Sequence, residues 1–169
     1  MRRSALALTL ALLAAPLSLA PALPALAQLG LEPNKQMKGV LPDDPDGWDM
    51  SDIRVAGGAL PMYSVATAEA SYRKGKVEVV VGAARSPTLF KSVMGSIKVT
   101  STLPPNGKVE TVNGKKAIVT AWPEAKVPLY QIQIPVGVDG IVMLTTRTGT
   151  LDDLRAMAME VDFDPFPIR

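Results

Sequence analysis

The chain of 169 residues contains no histidine and no cysteine. Without imidazole or thiolate, neither a Ser-His-Asp nor a Cys-His nucleophile can be assembled. Disulfides, iron-sulfur clusters, histidine- or thiolate-held haem and ordinary zinc sites fall with them. Aromatic residues are sparse, at 5% of the chain. Chemistry based on carboxylates, lysines and tyrosines is left, together with cation sites built from oxygen ligands. No cofactor is expected.

The start of the chain, MRRSALALTLALLAAPLSLAPALPALA, has a short basic end (Arg2, Arg3), an apolar run from Ala5 to Ala15, and a proline-broken stretch closing in Ala25-Leu26-Ala27. This is the layout of a secretory signal over 1–27, cleaved before Gln28, and it predicts a periplasmic protein. The alternative is an uncleaved anchor, but Pro16, Pro21 and Pro24 leave the run well short of the roughly 20 residues that span a bilayer. The twin arginines are compatible with export of a folded chain, yet they stand at the extreme start, so the general route is expected. A lipid anchor has no cysteine to attach to. Removal of the leader leaves 142 residues, enough for one domain and no integral span.

Two of the 18 basic residues leave with the leader, so the remaining chain balances 16 basic against 16 acidic. Such a chain has no net pull on nucleic acid, which is not an expected partner. The charge is unevenly spread. Residues 28–53 carry two lysines against six acids, 54–147 twelve basic residues against five acids, and 148–169 two against five. Either the acidic ends fold against the basic middle, or the middle offers a basic face to an anion.

The stretch LPDDPDGWDMSD holds five aspartates, at 43, 44, 46, 49 and 52. A calcium-hand loop wants oxygen ligands at its first, third and fifth positions, glycine at the sixth and glutamate at the twelfth. Counting from Asp44, Trp48 falls fifth, Asp49 sixth and Val55 twelfth, and other registers fit no better. The stretch therefore reads as a proline-aspartate turn leading Trp48 into the core. The alternative is an irregular cation site on Asp44, Asp46 and Asp49. The methionines read as core filler, since no helical face gathers their thioethers.

Residues 28–47, rich in proline and glycine, read as an extended leader, and 48–164 as the domain, with 165–169 a tail. Trp48 to Val55 suggests a first strand and AGGALP a loop. Glu69–Arg73 and Lys76–Ala84 form a hairpin, with Val77, Val79 and Val81 on one apolar face. Ser86-Pro87 opens a helix to about residue 98, with Leu89, Phe90, Val93, Met94 and Ile97 as its stripe. Asn113-Gly114 marks a second hairpin. VPLYQIQIPV and GIVMLTTR form a third, with Leu129, Gln131 and Gln133 opposed to Tyr130, Ile132 and Ile134 across the pleat. TLDDLRAMAMEVDF is a helix with a Thr150/Asp153 capping box. The order predicts an α+β fold, a single antiparallel sheet of about six or seven strands built from hairpins, covered on one face by two helices.

Three blocks, ASYRKGKVEVVVGAA, KVETVNGKKAIVTAW and YQIQIPVGVDGIVMLTTRTGTLDDLRAMAMEVDF, resemble a group of uncharacterised small exported bacterial proteins. Their shared hairpins and final helix are matched here by Val112-Asn113-Gly114-Lys115-Lys116-Ala117 and Glu160-Val161-Asp162-Phe163. The arrangement is also similar to the PsbP-like α+β fold. The resemblance covers about 68–164 and implies a fold; it carries no functional residues.

The reading that follows is an exported, non-catalytic binding or accessory protein, its partner an envelope protein or a small ligand. Trp122, Tyr130 and Gln131 are the candidate surface on an uncovered sheet face, with cross-strand packing as their plain alternative. A second reading uses Arg73, Lys74, Lys76, Lys115 and Lys116 for an anionic lipid or other anion, although lysines at hairpin tips commonly serve solubility. A third is a hydrolase, which needs two carboxylates roughly 5 to 10 Å apart; Glu69, Glu78 and Glu110 are the strand-borne acids.

Overall fold

The computed structural model describes residues 36–51, 53–60 and 63–166, with the backbone alone for 54–60 and 63–66. The leader over 1–27, residues 28–35 and positions 167–169 lie outside the described residues. Among the described residues there are eight strands: β1 (Asp49–Met50), β2 (Arg54–Leu60), β3 (Tyr63–Lys74), β4 (Val77–Arg85), β5 (Gly107–Val112), β6 (Lys115–Trp122), β7 (Leu129–Val136) and β8 (Gly140–Thr146). Helix α1 (Pro87–Lys98) follows β4 and helix α2 (Leu151–Met159) follows β8. The strands make one antiparallel sheet in the order β1-β3-β4-β8-β7-β6-β5, with β2 also pairing on β3. This is the α+β fold expected from the hairpin signals, with β1 and β2 sharing one edge.

The edge differs from expectation. AGGAL is strand rather than loop, for Gly57 and Gly58 pair with Ala66 and Val65 of β3. Glycine is tolerated on an edge strand, where no neighbour is needed on the outer side. Met50 pairs with Tyr72 and Arg54 with Glu69, so one extra residue is accommodated between β1 and β2, as in a bulge.

Alternation along the strands divides the side chains between two faces. Tyr72, Val79, Thr146, Tyr130 and Ala121 lie in one row across the sheet; Ala70, Val81, Leu144, Ile132 and Val119 lie in the next row on that same inner face. Val79, Val81, Leu144, Ile132 and Ile134 are wholly buried there, against Leu154, Met157 and Ala158 of α2. At about 1.5–3 kcal/mol for each large apolar side chain removed from water, this face supplies most of the stability.

Helix α1 lies on the other, outer face, where Val93, Phe90 and Ile97 pack on Ile118 and Ile141. The expectation that both helices cover one face is thus corrected. The cause is topological: β4 ends in the middle of the sheet while β5 begins at its far edge, so the connection must cross a face, and it crosses the one α2 leaves open. Leu89, counted in the helical stripe, is 51% exposed, because the buried side is narrowed to 90, 93 and 97.

Residues 36–47, read as an extended leader, contribute three side chains to the core. Residues 36–38 are helical, and Met37, Val40 and Leu41, at helical spacing, are buried in the inner-face cluster. The Tyr72 hydroxyl donates to the Pro42 carbonyl at 2.8 Å. Val40 also accepts from the Asp162 amide at 3.3 Å, tying the leader to the other end of the chain. Phe166, buried in the same cluster, lies against Gly140 so closely that a Cβ there would sit 2.2 Å from its ring. The domain therefore runs from at least 36 to 166.

The start signals of both helices hold, but α2 ends at Met159 rather than running on through Phe163. Ser86 caps α1, accepting from the Leu89 amide at 3.4 Å, with Pro87 in its first turn. Thr150 and Asp153 form the capping box of α2. Asn113 and Gly114, with φ of 45° and 72°, make the two-residue turn between Val112 and Lys115. The Asn113 amide then reaches over the end of α2, donating to the Ala158 carbonyl at 2.9 Å and the Val161 carbonyl at 3.4 Å.

Candidate functional site

With the inner face filled by core, the outer face beyond α1 is where side chains meet solvent. Gln131, Thr145 and Val80 form one row across β7, β8 and β4; Gln133 and Met143 lie in the next row, toward α1. The Gln133 amide donates to the Gln131 Oε1 at 3.1 Å, and the Gln131 amide donates to the Met143 Sδ at 3.0 Å. Beyond this chain, at the end of the sheet away from α1, lies an open depression of about 310 Å³, lined by Glu78, Val80, Leu129, Gln131, Thr145, Thr146, Arg147 and Thr148.

The polar groups in the depression are unequally engaged. The Thr146 hydroxyl donates to the Glu78 carbonyl at 2.6 Å and accepts from the Gly149 amide at 2.9 Å. The Thr148 hydroxyl accepts from the Glu78 amide at 2.8 Å. The Glu78 carboxylate is paired with Arg73 at 3.2 Å. Arg147 is exposed and makes no ion pair or hydrogen bond through its side chain with any described residue, and the Thr145 hydroxyl has none either.

Of the surface residues expected from sequence, Trp122 and Gln131 belong to this outer face, Trp122 standing opposite Leu129, half-buried. Tyr130 does not. It pairs with Ala121 and Thr146 on the inner face and packs against the core, as the alternation of β7 requires.

The basic residues are not brought together. Arg73, Lys74 and Lys76 sit at the β3-β4 turn, and Lys115 and Lys116 at the β5-β6 turn, which lies at the opposite end of the sheet. Lys74 stands 5.9 Å from the centre of the Trp48 ring and Lys115 the same distance from Phe163, so each cation covers a half-buried aromatic. Asp44, Asp46 and Asp49 are exposed, and among the described residues no three acidic side chains converge on a cation position. The segment turns instead, with Asp44 and Gly47 at positive φ and the Trp48 amide donating to the Pro45 carbonyl at 3.0 Å.

The strand-borne acids are likewise apart. Glu110 is on the inner face, in the row of Ala117, while Glu69 and Glu78 are on the outer one. Glu69 and Glu78 pair with Gly82 and Arg73, four residues apart along their strands, or about 13 Å. Glu110 is held by Lys108 at 2.6 Å and Arg155 at 3.0 Å. The Lys108 ammonium foremost, and Arg155 with it, hold its carboxyl below the ordinary value. Burial pushes the Tyr72 phenol up, with the nearby Asp43 charge adding to it.

Arg147, Thr145, Leu129 and Val80 were not singled out by sequence. For Thr145 and Arg147 the signal is the alternation of GIVMLTTR, which sets Met143, Thr145 and Arg147 on one side and Val142, Leu144 and Thr146 on the other. Searches against family models, curated proteins and solved structures find no match to the chain.

Proposed function

We propose that this is an exported periplasmic protein without chemistry of its own, which binds a ligand or partner on the outer sheet face beyond α1. The observation that carries the reading is the composition of that bare end. Half-buried Val80 and Leu129 stand beside the amide of Gln131 and the hydroxyl of Thr145 around one depression, with half-buried Trp122 paired to Leu129 on the next strand. Sites of this kind join apolar contact area to a few directed polar groups. The lack of histidine and cysteine, and the separation of Glu69, Glu78 and Glu110, support a binding rather than a catalytic role. The PsbP-like likeness belongs to the same proposal; it rests on the three sequence blocks, and superposition of an experimental structure on such a domain tests it.

The test is site-specific photo-cross-linking in bacterial cells, with the cross-linker at Thr145 or, as a control on the same face near the opposite edge, at Thr111. A discrete adduct from position 145 alone is expected. Identical adducts from both positions, or none from 145, would remove the outer face as the binding surface. The export component is read by N-terminal sequencing of the periplasmic form, which should begin at Gln28.

A further inference from the structure

The free hydrogen-bonding groups of the depression are weighted toward donors, with Glu78 Oε2 the open carboxylate acceptor. Arg147 contributes a guanidinium with five N–H groups and no acceptor. Thr145 has an unengaged hydroxyl. Thr148 accepts from the Glu78 amide and keeps its own proton for a further bond. Gln131 spends its carbonyl on Gln133 and one N–H on Met143, which leaves a second N–H. On the acceptor side, Thr146 is saturated by local bonds, while Glu78 gives Oε1 to Arg73 and keeps Oε2 open at the rim. The complement of such a surface is a group rich in acceptors. A guanidinium selects among these for a planar oxyanion, which it grips with two parallel hydrogen bonds.

Charge and shape narrow the class further. Glu78 lies at the same depression, so a second negative charge on the ligand would meet a carboxylate close by. That favours a singly charged carboxylate over a doubly charged phosphate. Val80 and Leu129 give the floor an apolar part, with Trp122 opposite Leu129 on the next strand. A volume of about 310 Å³ is at the small end of ligand sites.

Building on the outer-face reading, we infer that this depression takes a small monocarboxylate with an apolar tail. Arg147 holds the carboxylate, Thr145, Thr148 and Gln131 donate around it, and Val80 and Leu129 receive the tail.

The experiment is an NMR titration of the mature protein with octanoate, octanol and octylammonium, read on backbone amides. Octanoate should give saturable shifts at Val80, Leu129, Gln131, Thr145 and Arg147, with octylammonium giving none there. Arg147→Gln, at an exposed position with no partner among the described residues, should weaken octanoate at least about tenfold, as loss of a charge-assisted hydrogen bond does. Thr145→Val, which keeps the shape and removes one donor, should weaken it by less. If octanol or octylammonium matches octanoate, or if Arg147→Gln leaves affinity unchanged, the carboxylate assignment is overturned while the outer-face reading stands. If no probe shifts these amides, the inference is overturned, and cross-linking at position 145 decides the broader reading by itself.

Discussion

Tyr72 shows how much can depend on one side chain. It is fully buried, and its hydroxyl is the polar tether between the sheet and the leader segment at Pro42. Tyr72→Phe keeps the ring and leaves the Pro42 carbonyl without that donor, so unfolding free energy should fall by about 1–2 kcal/mol. The midpoint of a urea transition should shift with its slope unchanged. The tether also has a pH signature. The phenol is pushed up in the folded state, so its contribution is complete below the ordinary tyrosine value of about 10 and is lost as pH rises toward the folded value. Tyr72→Phe should remove that alkaline loss; an identical alkaline limb in the variant would show that the tether is not its source. From sequence, Tyr72 was legible only as a strand residue of a hairpin, because its partner lies 30 positions away.

At the scale of elements, the β5-β6 hairpin and α2 hold each other through two devices that can be separated. Asn113 both accepts a left-handed backbone, φ 45°, and caps the end of α2. Asn113→Gly keeps the conformation and loses the cap, at a cost of about 1 kcal/mol. Asn113→Ala loses the cap and adds left-handed strain, for a further 1 kcal/mol or about that. If the two variants melted together, backbone strain would play no part. The second device is Glu110 with Lys108 and Arg155. Its carboxyl is held below the ordinary 4.5, so the stabilisation is present above that value and fades as pH falls through the lower folded one. Glu110→Gln should therefore cost stability at neutral pH, and the gap to the parent should close on acidification and narrow in high salt. Hairpins, caps and helix starts were readable because each depends on neighbours within a few residues: Asn113-Gly114, Ser86-Pro87, and Thr150 with Asp153; the end of α2 was not, and falls four residues before the expected Phe163. The face on which α1 lands was not, since it is set by the distance across the sheet from β4 to the β5 edge.

At the scale of the whole molecule, the inner face is closed by three segments: α2, the leader with Met37, Val40 and Leu41, and the tail with Phe166. The leader was the least legible part. Its prolines and glycine suggested an extended path, and the spacing of 37, 40 and 41 spans too little chain to register as a helical stripe. The candidate site divides in the same way. Gln131 lines the depression and Trp122 stands on the neighbouring strand of the same face, both noticed because aromatic and amide residues stand out on strands, and Arg147 was passed over because a single arginine at a strand end has no local signature. The role assigned to the leader makes a sharp prediction. A chain beginning at Trp48 lacks Met37, Val40 and Leu41, and loses the carbonyl that receives Tyr72. Three buried side chains at about 1.5–3 kcal/mol each come to more than about 4 kcal/mol, against a total stability of about 5–15 kcal/mol for an ordinary domain. The truncated chain should therefore show a broad or absent thermal transition and bind a dye for exposed apolar surface, while a chain beginning at Gln28 melts cooperatively. Equal melting temperatures for the two would mean that the sheet and α2 close the inner face without the leader.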